Sequence, residues 1–287
     1  MSRLKSFKFW AIGLVSVWLL VFVLLPNLMI LVSSFLSKGD TNSLVQLPLT
    51  LKSYNQLLNP LYAEVLWLSI KLSAIATFFC LIIGYPFAYA LAKLHARWRP
   101  FLLFLVIVPF WTNSLIRIYA IKILLGRKGL LNDLLMGLGI TDHYITWLYS
   151  NFAVIFGLVY ILLPFMILPL YSAIEKLDGR YLEAAADLGA GKIRTFVHVV
   201  LPLTMPGVVA GGLLVFLPAM GMFYVSDMLG GGKDMLVGNI IKRQILLVQD
   251  WPFGSAASVV ITVFMGLLLF LYWQAAKRIN RQEALDG

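Results

Sequence analysis

Residues 175–202 read EKLDGRYLEAAADLGAGKIRTFVHVVLP, and they lie between two runs without a charged side chain, Phe152–Ile174 and Leu203–Ser226. A run of about 20 apolar residues is what a helix needs to cross the hydrocarbon of a bilayer. The stretch between them has its own order. Asp178 suits a helix N-cap, because its carboxylate can accept from the backbone N–H groups that open the first turn. Tyr181 to Leu188 contain strong helix formers, alanine above all. Gly189-Ala190-Gly191 then ends the helix, since glycine adopts the left-handed conformation that follows a last turn. Beyond it, Ile193, Phe196, Val197 and Val200 recur at i, i+3, i+4 and i+7, the spacing of one apolar helix face. Thr204 and Pro206 suit the first turn of the next span. The prediction is two short helices joined by a glycine corner, a rigid elbow able to receive a push from a partner.

The rest of the chain repeats the apolar runs. Further spans are predicted at Phe9–Leu36, Val65–Leu91, Phe101–Ile123 and Ala256–Ala275, which with Phe152–Ile174 and about Leu203–Met228 make six. The first is longer than the apolar core of a signal peptide, about 7–15 residues, and lacks a small-residue cleavage site, so it reads as a retained helix. Six spans return both termini to one side. Arg3, Lys5 and Lys8, then Lys93, Arg97 and Arg99, then Lys277, Arg278 and Arg281 all fall on that side, which the positive-inside rule makes cytoplasmic. The opposite loops, 37–64, 124–151 and 229–255, also hold Lys38, Lys52, Arg127, Lys128, Lys233, Lys242 and Arg243, but they are longer, and the bias counts near span ends. The expected fold is an all-α membrane protein, with one transmembrane domain over 1–287 and the 175–202 elbow within it.

Composition excludes several functions. The chain is 61% hydrophobic and 13% charged, against about 45–50% and about 25% in soluble domains, so a free soluble enzyme is ruled out. Its net charge of +10 comes with no basic run interleaved with exposed aromatics, which argues against nucleic acid. Cys80 is the single cysteine, so no intrachain disulfide can form. His95, His143 and His198 fall on different segments, and no metal site is expected. No G-x-x-x-x-G-K-[ST] occurs. Gly232-Lys233 is followed by Asp234, and Asp227 stands where the first glycine would, so this chain is not expected to cradle ATP phosphates.

Within the elbow, Glu183-Ala184-Ala185, then Gly189, then Leu201-Pro202, resemble the EAA motif of ABC-importer membrane subunits. That motif reads E-A-A, three residues, G, nine residues, I-x-L-P, with Val199 here in place of the isoleucine. The segments 109–117 (PFWTNSLIR), 160–166 (YILLPFM), 217–221 (LPAMG) and 250–254 (DWPFG) are similar to signatures of the spermidine/putrescine permeases, B-type subunits above all. The resemblance covers most of the chain. It implies a type I ABC-importer permease fold with cytoplasmic coupling helices, in the bacterial inner membrane. It also implies partners: a second related permease, an ATPase dimer that holds the ATP and Mg²⁺, and a periplasmic polyamine-binding protein. By the same resemblance Glu183, Ala184, Ala185, Gly189, Leu201 and Pro202 would be ATPase-coupling residues. Asp187 joins them one turn beyond Glu183. Like charges at i, i+4 slightly weaken an isolated helix, which makes sense against a basic partner surface or, alternatively, on a solvated face.

A polyamine passage needs carboxylates and aromatic faces to replace water around each ammonium group. Asp227 adjoins the fifth span, where an acid is costly and often functional, and Phe223 and Tyr224 are its sequence neighbours. Two readings stand for Asp227: a cation path, or an interfacial cap or salt bridge. Trp111 and Asn113 follow Pro109 in the third span, where they either line the path or anchor the interface. Arg117 and Lys122 would repel a polycation and are expected at a subunit contact or at headgroup level. Two other readings remain at this point: an ABC permease for another small cationic solute, and an ion-coupled secondary transporter, against which stand the nearly charge-free spans and the lack of an obvious repeat.

Overall fold

The protein is described here from a computed structural model, over residues 2–39, 44–232 and 236–283. Lys233 and Asp234 lie outside the described residues, as do the side chains of the first and last basic clusters. Among the described residues five helices are long and apolar enough to cross a membrane: Ile12–Ser33, Pro60–Lys93, Asn151–Glu175, Lys192–Gly221 and Trp251–Gln274. The pair Arg99–Trp111 and Ser114–Leu124 makes a sixth span if counted as one, with a bend of 92° between its arms. The all-α reading therefore holds, and the predicted third span, Phe101–Ile123, falls on this bent pair. The break has a local cause. Thr112 is extended, and Asn113 caps a new helix by accepting from the Leu115 N–H at 2.8 Å.

Contacts gather the chain into two units, residues 1–63 with 240–267, and 64–239 with 268–287. The first unit holds the first helix, a two-residue antiparallel pairing of Ser37–Lys38 with Val45–Gln46, and the start of the last helix. Tyr62 and Phe253 pack their rings 4.9 Å apart there. In the first helix a π-turn, Leu20–Leu24, stands just before Pro26. A proline ring clashes with the carbonyl four residues back, which for Pro26 is Phe22, inside the π-turn. The wider turn relieves that clash, and the Asn27 amide donates to the Val23 carbonyl at 2.7 Å. The fifth span repeats the device, with a π-turn at Phe196–Val200 and Pro202 two residues on.

The second unit is built around Asn151–Glu175 and Leu201–Gly221, which pack along much of their length. Lipid tails are as apolar as leucine, so helices in a membrane associate by close van der Waals fit rather than by escape from water. Small residues make that fit. A Cβ at Gly207 would come within 2.5 Å of the Ala173 Cβ, and one at Gly211 within 2.8 Å of the Met166 sulfur. Val154, Leu158, Leu162, Met166 and Leu170, four residues apart, are fully buried along one face of the fourth span.

Candidate functional site

The elbow helix is Gly179–Asp187. Asp178 caps it as the sequence predicts, its carboxylate accepting from the Arg180 N–H at 3.0 Å. At the other end Gly189 has φ +75°, the Gly189 N–H donates to the Ala186 carbonyl, and the Ala190 N–H donates to the Ala185 carbonyl. Those two bonds around a left-handed glycine are a Schellman ending, so the glycine corner is confirmed in atomic detail. The second elbow helix is not separate. Lys192–Thr195, the π-turn and Leu201–Gly221 run on as one helix of 30 residues. Pro202 and Pro206 do not break it, because the π-turn absorbs the first and the helix carries the second internally.

Of the coupling residues read from the sequence, Glu183, Ala184, Asp187 and Gly189 are exposed, as is Pro202. Ala185 is buried and Leu201 half-buried, so these two pack inward and form the seat of the elbow. Leu188 and Ile193 flank the corner at 88% and 82% exposure. The elbow is tied inward as well. Phe196 packs edge-on against Tyr85 at 5.4 Å and Tyr89 at 6.5 Å, and the Lys93 ammonium sits 5.2 Å from the Tyr89 ring. Tyr85 Oη and Thr204 Oγ1 share a buried hydrogen bond of 2.8 Å. Tyr85 thereby joins the second span to the fifth.

The path candidates divide between two places. The fifth-span helix ends at Gly221, Met222 leaves helical geometry with ψ 64°, and a short helix, Phe223–Leu229, follows. The span predicted over about Leu203–Met228 is interrupted at Met222, four residues after Pro218 and next to Gly221. Phe223, Tyr224 and Asp227 share this short helix, with the first two rings perpendicular at 6.1 Å. Asp227 is exposed, and one carboxylate oxygen accepts from the Asn239 amide at 2.5 Å. Trp111 and Asn113 belong to the bend of the third span. Trp111 is 75% exposed and packs edge-on with Phe104, while Asn113 is held as a cap. The short helix packs on Ser114–Leu124, the arm that Asn113 begins. Arg117 places its guanidinium 5.4 Å from the Phe110 ring.

Two buried amides hold polar networks that the sequence does not announce. Asn132 is fully buried and ties the 126–147 segment together, donating to the Gly126, Arg127 and Ile145 carbonyls and accepting from the Ile145 N–H and the Trp147 indole. Asn239 is 7% exposed. The sole sequence cue for either is a polar side chain in an otherwise apolar segment.

Among the described residues the spans are bent or broken in places, and a capped elbow helix lies between the fourth and the fifth. Residues 84–282 match the family described as the binding-protein-dependent transport system inner membrane component. The chain belongs to this family of ABC-importer permeases. It is 56% identical over 282 residues to the spermidine/putrescine transport system permease protein PotB of Haemophilus influenzae, covering 98% of both chains. It is 57% identical over 269 residues to the protein of the same name from Escherichia coli, covering 94% of this chain and 98% of the relative. Its fold resembles a chain of a bacterial alginate ABC transporter, with TM-score 0.74 at 15% identity and 96% coverage of both chains.

Proposed function

We propose that this chain is the permease subunit of an ABC importer that carries spermidine or putrescine across the bacterial inner membrane by ATP-driven alternating access. The identity to spermidine/putrescine permeases over nearly the whole chain is the observation that carries this reading. Both termini face the cytoplasm. The partners are a second related permease, an ATPase dimer, a periplasmic polyamine-binding protein and the surrounding lipid. ATP and Mg²⁺ belong to the ATPase. Its closure pushes the exposed face of Glu183, Ala184 and Asp187, together with Leu188 and Ile193 at the corner. Phe196, Tyr85 and Thr204 carry that push to the second and fifth spans. Asp227, Tyr224 and Phe223, with Trp111 and Asn113 at the bend opposite, receive the ammonium groups as they leave water.

The test is uptake of radiolabelled spermidine and putrescine in a strain lacking this chain, restored with wild type or Glu183→Lys. Wild type should restore uptake. Glu183→Lys should lower it at least about tenfold, as a reversed charge at a desolvated contact would, with the chain still in the membrane and less ATPase recovered with it. Normal uptake in Glu183→Lys would remove the coupling role. A bound ATPase without any polyamine phenotype would keep the importer and discard the cargo.

A further inference from the structure

The Asp227 carboxylate is held by a residue whose own orientation is fully determined. Asn239 Oδ1 accepts from the Leu236 N–H at 2.9 Å, and a backbone N–H can only donate. Its Nδ2 therefore faces the other way, where it donates to the Phe223 carbonyl at 3.1 Å and to the Asp227 carboxylate. Turning the amide over would set its oxygen against a carbonyl and a carboxylate and its NH₂ against an N–H, three losses at once. Asn239 is thus a fixed fork, with one prong on the first carbonyl past the helix break and the other on the acid one turn further on.

The fork is itself braced. The Val237 N–H donates to Ser69 Oγ at 2.8 Å, and the fully buried Ser69 donates in turn to the Val65 carbonyl at 2.8 Å. Gly238 lets this segment lie against the broken end of the fifth span, since a Cβ there would stand 2.5 Å from the Gly221 carbonyl oxygen. A neutral amide adds no charge of its own to the carboxylate it orients. Supporting groups that lock a binding side chain are what set the geometry of a site.

We propose that Asn239 is a positioning residue for the cation passage, acting through the Asp227 carboxylate so that this oxygen meets a substrate ammonium in one orientation. The inference rests on the reading of Asp227 as part of that passage. The experiment is a double-mutant cycle in the intact transporter, with Asn239→Ala, Asp227→Asn and the two combined, read as the rate of labelled spermidine uptake per unit of assembled complex. Asn239→Ser serves as a smaller cut that keeps one hydroxyl donor. Asn239→Ala should lower uptake about tenfold, the worth of a hydrogen bond to a charged group, and Asn239→Ser should lower it less. With Asp227→Asn already present, adding Asn239→Ala should change uptake by less than about twofold, because residues acting as a unit are not additive. If the losses multiply instead, Asn239 is a structural brace of the chain break and the proposal fails. If Asp227→Asn alone transports normally, the acid is outside the passage and the reading beneath the proposal fails with it. If Asn239→Ala does not assemble, the same two criteria apply to Asn239→Ser in both backgrounds.

Discussion

Gly189 follows the end of one helix and Gly238 lies in the first turn of another, and they are glycines for opposite reasons. Gly189 has φ +75° and open space around it, with no atom within 4 Å of a built Cβ. Gly238 has an ordinary backbone and no space, the Gly221 carbonyl oxygen lying 2.5 Å from where its Cβ would be. The elbow needs a backbone conformation, and the corner beneath Asp227 needs close approach. A corner fixed by conformation is local and can face a partner while keeping its shape. A corner fixed by approach exists only while its neighbours stay in place, so it reports their movement.

Substitutions can break this contrast. The largest effect is expected for Gly189→Pro. Its ring holds φ near −65° and removes the N–H that the Ala186 carbonyl accepts, a cost of about 3 kcal/mol. Polyamine uptake should be lost while the chain still reaches the membrane. Next comes Gly238→Ala, where overpacking costs about 2 kcal/mol and should lower the melting temperature of the solubilised complex as well as uptake. At Gly189 alanine should cost about 1 kcal/mol, and asparagine, which tolerates the left-handed region, only part of that. The order therefore inverts between the two sites. Asparagine is the milder choice at 189, whereas at 238 it is worse than alanine because it is larger. Thermal melts of the four variants measure both orders, and equal tolerance of asparagine at the two positions would dissolve the contrast.

The same difference explains what could be read from the chain in advance. The elbow is written in consecutive residues: a capping aspartate, an alanine-rich turn and a glycine corner each act on their immediate neighbours. Its continuation is harder to read, because Thr204 and Pro206 look like a helix start and nothing in composition announces a π-turn. The bend in the third span was also present in the letters, as Pro109 and the Asn113 cap, but average hydropathy runs straight across both. Asn239 gave almost no cue. Its role depends on Phe223, 16 residues away, and on Ser69, which anchors its neighbour Val237 from 168 residues away. A single sequence does not say which distant groups an isolated amide will meet.

The unbroken helix from Lys192 to Gly221 has a mechanical consequence. Thirty residues at a rise of about 1.5 Å each make a rod of roughly 45 Å. Turned as a lever by about 10° at the elbow, its far end sweeps through roughly 8 Å, following from that length. A displacement of that size is wide enough to open or shut a gap around a slender chain of ammonium and methylene groups. The gearing lies in the length of one helix, by which a modest stroke at the corner would become a gate-sized movement at Met222.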